Sequence, residues 1–198
     1  MARTVAKDYT AKRQQILKVA AKIFAQEGYD RASVSQVAQA CSISKANIYH
    51  YYGSKEDILL DILDSYLSGL RDRICNFEAP QLSPSAYFEA LLVEFLMAYQ
   101  GADDEHRLQT IELSRLSDAQ QAALKGYQRE LVKSVSNALS AIGSENLTAN
   151  PDKLKGVTMS VFGMLNWFYM WNGSAGEEER RAYGRTVAML TLKGIEEV

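Results

Sequence analysis

The chain has 198 residues, 47% of them apolar and 23% charged, and carries a net charge of −2. That is enough apolar material for one or two domains with a substantial core, which excludes a disordered chain. No run approaches the roughly 18 apolar residues of a membrane span, and the first residues, MARTVAKDYTAKRQQ, are polar and basic without the apolar core of a targeting segment, so a cytoplasmic protein with no membrane partner is expected.

The charge is unevenly placed. Residues 1–60 hold nine Lys/Arg against five Asp/Glu, whereas the remainder holds 13 against 19. A basic beginning on an acidic body suits a module that meets phosphate while the rest of the molecule does not. Two cysteines, Cys41 and Cys75, and two histidines, His50 and His106, show no metal-ligand spacing, so no cofactor is expected and both cysteines are read as small buried hydrophobes.

In chain order, residues 1–7 read as a loose basic arm from which Arg3 and Lys7 could reach DNA phosphate or a minor groove. A helix follows from about Thr10, with Ile16, Ala20, Ile23 and Phe24 on one stripe, and stops at Gly28. Tyr29 is read as a packing residue at its exit.

The stretch SVSQVAQACSISKANIYHYY, Ser33–Tyr52, holds two short helices with a tight break between them. Ser33 followed three residues later by Gln36 is a capping box, so the first begins near Val34. Its Val37, Ala38 and Cys41 share a face, and Ala38 is small enough to admit a second helix closely. Ser44 is the next N-cap and opens a helix whose Ile48, with Tyr52, faces inward. Lys45, Asn47, Tyr49, His50 and Tyr51 are left for the other sides. A cation, an amide, phenols and an imidazole suit the donors and acceptors of the DNA major groove and the phosphates along it. The pair reads as a helix-turn-helix, with an ordinary surface αα-corner as the competing interpretation.

After Gly53, a rod from Ser54 to Phe77 keeps helical period through Ile58, Leu59, Ile62, Leu63, Tyr66, Leu67, Leu70 and Ile74. EAPQLSP breaks it, and Ser83-Pro84 starts a helix running to about Gln100. A helix from about Glu105 to Leu116, a long one from Asp118 to Ile142, the loop GSENLTAN, a strongly apolar helix from Pro151 to about Trp171 and a last one from Glu177 to Glu196 complete the chain. The last is expected to bury Tyr183, Val187, Leu190 and Ile195. No stretch alternates as a strand, so the fold class is all-α with about nine helices: a three-helix helix-turn-helix domain over residues 1–53 and a second helical domain over 54–198.

Val37-Ala38, Ile43-Ser44-Lys45, Ile48-Tyr49-His50-Tyr51-Tyr52, Ser54-Lys55-Glu56 and Ile58-Leu59, in that order and spacing, resemble the DNA-binding segment of TetR-type transcriptional regulators, and the likeness covers roughly residues 10–63. The chain departs from that pattern at Ser42, where the family usually has Gly, and at Ala46-Asn47, where Gly-Thr or Pro-Thr is common. Losing the turn glycine costs about 1 kcal/mol if the backbone there needs a positive φ. Asn47 in place of threonine alters which bases are read. The candidate DNA-contacting set is Ser33, Ser35, Lys45, Ala46, Asn47, Tyr49, His50, Tyr51 and Lys55, the last resembling the family's phosphate-contacting lysine.

The resemblance further implies that the last two helices pair with their symmetry mates and that the helices before them enclose a pocket. A two-fold partner would cover the excess apolar surface of the helix ending at Trp171 and set two recognition helices about 34–36 Å apart on a palindromic double-stranded operator. Phe88, Phe95, Tyr99, Tyr127, Met159, Phe162, Met164, Trp167, Met170 and Trp171 are candidates for the effector pocket, with plain core packing as the alternative for each. Leu165-Asn166-Trp167 and Trp171, with Gly173 and Gly176, are similar to a short segment of acyl-CoA-responsive regulators, implying an acyl-CoA or aromatic metabolite as effector. Relatives of that type often carry an arginine and a proline nearby, where this chain has Met170 and Ser174, so a CoA phosphate would need Lys or Arg from elsewhere. The leading expectation is a ligand-released repressor. The alternatives are a DNA-bound scaffold of the same fold controlled by a protein partner, and an all-α enzyme using His106, Glu105 or Glu112, for which no nucleophile motif or phosphate-binding loop speaks.

Overall fold

A computed structural model describes the backbone of residues 2–143 and 145–197 and the side chains of 9–143 and 147–195. Arg3 and Lys7 therefore lie outside the described side chains. Among the described residues there are ten α-helices and one 3-10 turn, with no strand. They are α1 (Ala2–Glu27), α2 (Val34–Ala40), α3 (Lys45–Tyr49), α4 (Lys55–Cys75), α5 (Pro84–Ala98), α6 (Asp103–Glu112) followed by the turn Leu113–Arg115, α7 (Asp118–Ala141), α8 (Glu145–Thr148), α9 (Pro151–Asn172) and α10 (Glu177–Glu197).

The expected helices are present with their ends moved. α1 starts at Ala2 and not at Thr10, so the segment read as a loose arm has a helical backbone. The loop GSENLTAN contains the single turn α8. Proline and cap signals mark the starts of α5 and α9: Ser83 Oγ accepts from the Ala86 amide, and Asn150 Oδ1 accepts from the amides of Asp152 and Lys153. No helix among the described residues is long and apolar enough to cross a membrane.

The chain divides into two compact units, residues 1–67 with 104–124 and residues 68–103 with 125–198. In the first, Ile16, Ala20, Ala21 and Phe24 of α1 are packed with Val37 and Ala38 of α2, Ile48 of α3 and Ile58, Leu59 and Leu63 of α4, all buried. His106 of α6 is buried too, and its Nδ1 lies 2.7 Å from the Tyr66 hydroxyl. The periodic stripe of each helix is thus spent on this core, which leaves the polar sides of α2 and α3 facing outward.

The second unit is built on α5, whose Phe88, Leu91, Leu92, Phe95 and Leu96 are buried against α9 and α10. α10 approaches α5 closely at Gly184, where an added Cβ would lie 2.9 Å from Val93 Cα. At the start of α10, Arg180 is 1% exposed, donates from Nε to the Ala175 carbonyl at 3.1 Å, reaches the Asp103 carboxylate at 3.3 Å and lies over the Phe168 ring. Burying that charge is tolerable because the carboxylate and ring accompany it.

Three sequence expectations need correction here. Leu190 of α10 is exposed and not part of the buried set, because it lies on the opposite side of its turn from Val187, Ala188 and Thr191, which are buried. Cys75 is exposed near the Ser134 hydroxyl, whereas Cys41 is buried. Met159, Trp167, Met170 and Trp171 are half or more exposed on the outer side of α9, so they line no interior pocket of this chain.

Candidate nucleic-acid interface

Short helices form poorly alone, so α2 and α3 depend on their caps and on one buried face each. At α2 the Ser33 hydroxyl accepts from the Gln36 amide at 3.2 Å while Gln36 Oε1 accepts from the Ser33 amide at 2.7 Å. Gln36 Nε2 then donates to Glu27 at 2.7 Å, fastening the start of α2 to the end of α1. The Ser33 hydroxyl is occupied in this box, which makes it a cap and not a free DNA donor.

The turn between the helices is a left-handed C-cap. Ser42 has φ 55°, its amide donates to the Gln39 carbonyl at 3.0 Å, and the Ile43 amide reaches back to the Ala38 carbonyl at 3.0 Å. This is a glycine conformation held by a serine, so the departure from the TetR pattern at this position does carry backbone strain.

α3 begins on Ser44, whose hydroxyl accepts from the Asn47 amide at 3.1 Å, and it is only five residues long. Ile48, fully buried, is its anchor in the core. Around that anchor Lys45, Ala46, Asn47, Tyr49 and His50 are all exposed, as is Ser35 on α2. The Lys45 ammonium lies 5.7 Å from the Tyr49 ring centroid, one turn apart. Tyr51 is half-buried, its ring stacked on that of Tyr9 at 4.7 Å. The outward set therefore offers a cation, an amide, a phenol and an imidazole on one short rigid element, which is the assortment that can donate to and accept from base edges.

Behind this face, Tyr52 donates to Asp61 Oδ2 at 2.7 Å, and Asp61 also pairs with Arg13 and accepts from Ser65. Burial and then the hydrogen bond to the Asp61 carboxylate push the Tyr52 phenol far above its ordinary range, so it stays a neutral donor.

Lys55 has a different role from the one its resemblance implies. Its ammonium donates to the carbonyls of Tyr29 at 2.7 Å and Ala32 at 3.0 Å, with Asp30 at 3.4 Å, and lies 4.3 Å from the Tyr29 ring centroid. A cation engaged with those carbonyls clamps the start of α4 to the turn after α1, and this corrects its assignment as an outward phosphate contact. The same Tyr29 ring has the Arg115 guanidinium 5.3 Å from its centroid, and Arg115 in turn forks onto Asp30 at 2.8 and 2.6 Å and pairs with Glu112. Those two carboxylates hold the Arg115 guanidinium above its usual range. Burial raises the Tyr29 phenol.

Tyr9, Asp61 and Arg115 were not among the sequence candidates. Each gains its place through partners 42 to 85 positions away, and no local periodicity reports such a meeting.

Of the pocket candidates, Phe88, Phe95, Tyr99 and Phe162 are buried in the second unit, where Phe95 meets Phe162 edge-on at 5.5 Å and the Tyr99 hydroxyl donates to Asn166 at 2.8 Å. Burial raises the Tyr99 phenol. Tyr127 is half-buried beneath the Arg71 guanidinium. Only Met164 of the set lines the groove of about 440 Å³ between α9 and α10, together with Lys153, Gly156, Val157, Ser160, Leu190, Thr191, Gly194 and Ile195.

Residues 16–62 match the family of bacterial regulatory proteins of the tetR type, and residues 81–195 match the tetracyclin repressor-like C-terminal domain. The chain is 32% identical over 136 residues to an uncharacterized HTH-type transcriptional regulator, YuxN, of Bacillus subtilis, a match that takes in 68% of this chain and 47% of that one. Among solved structures it resembles a TetR-family transcriptional regulator from Bordetella parapertussis, with a TM-score of 0.82 at 32% identity over 94% of this chain and 96% of that one. It shares the fold of AibR solved with isovaleryl coenzyme A and operator DNA, at TM-score 0.71 and 22% identity over 90% and 97% of the two chains. This chain therefore belongs to the TetR family of helix-turn-helix transcriptional regulators, a class of DNA-binding proteins and not of enzymes.

Proposed function

We propose that the protein is a dimeric repressor that reads a palindromic operator through the exposed face of α3 and lets go of it when a small apolar effector binds the C-terminal helices. The observation that carries this reading is the asymmetry of α3, with Ile48 fully buried on one side and Lys45, Asn47, Tyr49 and His50 exposed on the others. Asn47 is assigned to base edges, Lys45, Tyr49 and Tyr51 to phosphates and His50 to either. Ser35 and Ala46 flank them as close-approach positions. Functionally, residues 1–53 serve DNA and 54–198 serve the effector and the dimer.

A homodimer is supported by the outer side of α9, where Trp167 is 60% and Trp171 57% exposed beside Met159 and Met170. Four large apolar side chains on one helix face are a docking surface in a protein that must stay soluble, and a two-fold axis is the commonest way to cover one. Phe88, Phe95, Tyr99 and Phe162 are the side chains that a ligand would meet, with the Tyr99–Asn166 pair as its polar contact. AibR with isovaleryl coenzyme A supports an acyl-CoA as the first class to try.

The test is anisotropy titration of an operator duplex selected from a random pool, with and without isovaleryl-CoA, longer acyl-CoAs and aromatic acids. Release by at least one class at a concentration that also raises the melting temperature is expected. Tight operator binding that none of these ligands changes would overturn the effector half of the proposal and leave the DNA half standing.

A further inference from the structure

The end of the recognition helix is shared with α1. Tyr9, 50% exposed on α1, lays its ring on that of Tyr51 with centroids 4.7 Å apart and planes 22° from parallel. Tyr51 follows directly on the C-cap of α3 and is itself 6.5 Å from the Tyr52 ring. Tyr52 is tied down by Asp61, so the three rings form a series that starts on a fixed residue and ends in solvent. Among the described residues, neither the Tyr9 nor the Tyr51 hydroxyl has a hydrogen-bond partner in the protein. The stack holds the two rings against each other but leaves two phenol donors beside the face assigned to DNA.

We propose that Tyr9 is a DNA-contacting residue: its hydroxyl donates to the phosphate backbone beside the groove that α3 enters, and its ring holds Tyr51 in position to do the same. With their ring centroids 4.7 Å apart, the two phenols suit a single phosphate group, whose oxygens can accept from more than one donor. Phenols contribute neutral donors there, which adds contact without adding positive charge. This inference rests on the DNA-binding reading of α3 and adds to it a second element, α1.

The test compares Tyr9→Phe, Tyr9→Ala and Tyr51→Phe in the full chain. Each is titrated with the selected operator, with an unrelated duplex of equal length, and with operators carrying one neutral methylphosphonate at successive backbone positions. Tyr9→Phe is expected to weaken both unmodified duplexes about five- to tenfold, the loss of one charge-assisted hydrogen bond, with an unchanged melting temperature. A phosphate contact carries no base information, so the loss is equal on the two duplexes. The number of phosphates neutralised by cations is unchanged, so the salt dependence stays the same. At one modified phosphate the wild-type protein loses affinity and Tyr9→Phe loses no more.

Wild-type affinity in Tyr9→Phe on every duplex, with a loss confined to Tyr9→Ala, would reduce the stack to a brace and overturn the proposal. Unchanged binding in Asn47→Ala and Tyr49→Ala would instead overturn the α3 reading on which it rests.

Discussion

The exposed faces of α3 and α9 are opposite in chemistry. α3 presents Lys45, Asn47, Tyr49 and His50 and hides a single isoleucine, whereas α9 hides Val161, Phe162, Leu165 and Phe168 and still presents Met159, Trp167, Met170 and Trp171. A polar face on a short capped helix is stable in water and available to a polar partner. An apolar face of that size is stable only when covered. The comparison separates reading DNA from the proposed dimer contact, both of which need an exposed surface.

The largest effect is expected where the apolar face is broken. Replacing Trp167 and Trp171 together by Glu should weaken self-association by at least about 4 kcal/mol, taking aromatic anchors at about 2 kcal/mol each. Sedimentation should then show a folded monomer, with operator affinity lost alongside. A dimer of undiminished stability would move the interface elsewhere.

The buried side of the same unit is sharpened by a glycine pair. Gly184→Ala would press a Cβ to 2.9 Å from Val93 Cα and should cost about 2–3 kcal/mol in urea unfolding, the usual penalty for overpacking a close helix crossing. Gly69→Ala on α4 has nothing within 4 Å of the added carbon and should instead gain about 0.5–1 kcal/mol from helix propensity. Equal effects at the two sites would contradict the close approach of α10 to α5.

On the polar side, Lys55→Met removes the donor to the Tyr29 and Ala32 carbonyls and should lower stability without DNA by about 1–2 kcal/mol. A purely phosphate-contacting lysine would leave the melting temperature untouched and change only the salt dependence of binding. A second gain is expected at the turn: Ser42→Gly relieves a positive φ and should stabilise by about 1 kcal/mol, with operator affinity unchanged.

Much of the fold was legible because its signals are local. The Ser33–Gln36 box, Ser44, Ser83-Pro84 and Asn150-Pro151 each name a helix start from residues within four positions, and each is a cap in the structure. The strain at Ser42 was also readable, since the missing glycine marked the turn. Lys55 was misread because its partners are carbonyls 23 to 26 positions away, and a lysine at a first helical turn looks the same whether it faces phosphate or backbone. Aromatic residues on α9 were misread for a related reason. Apolar spacing distinguishes one face from another, but not a face that meets its own chain from one that its own chain leaves exposed. Tyr9 gave no local signal at all, because its importance lies in meeting Tyr51.

The claim that the outward side of α3 reads sequence is tested most directly by Asn47→Ala. Binding of this variant to the selected operator should fall by about 1–3 kcal/mol while binding to an unrelated duplex stays within about twofold, since a bidentate amide–adenine contact discriminates and a phosphate contact does not. Equal affinity for the operator in variant and wild type, or an equal loss on both duplexes, would contradict it.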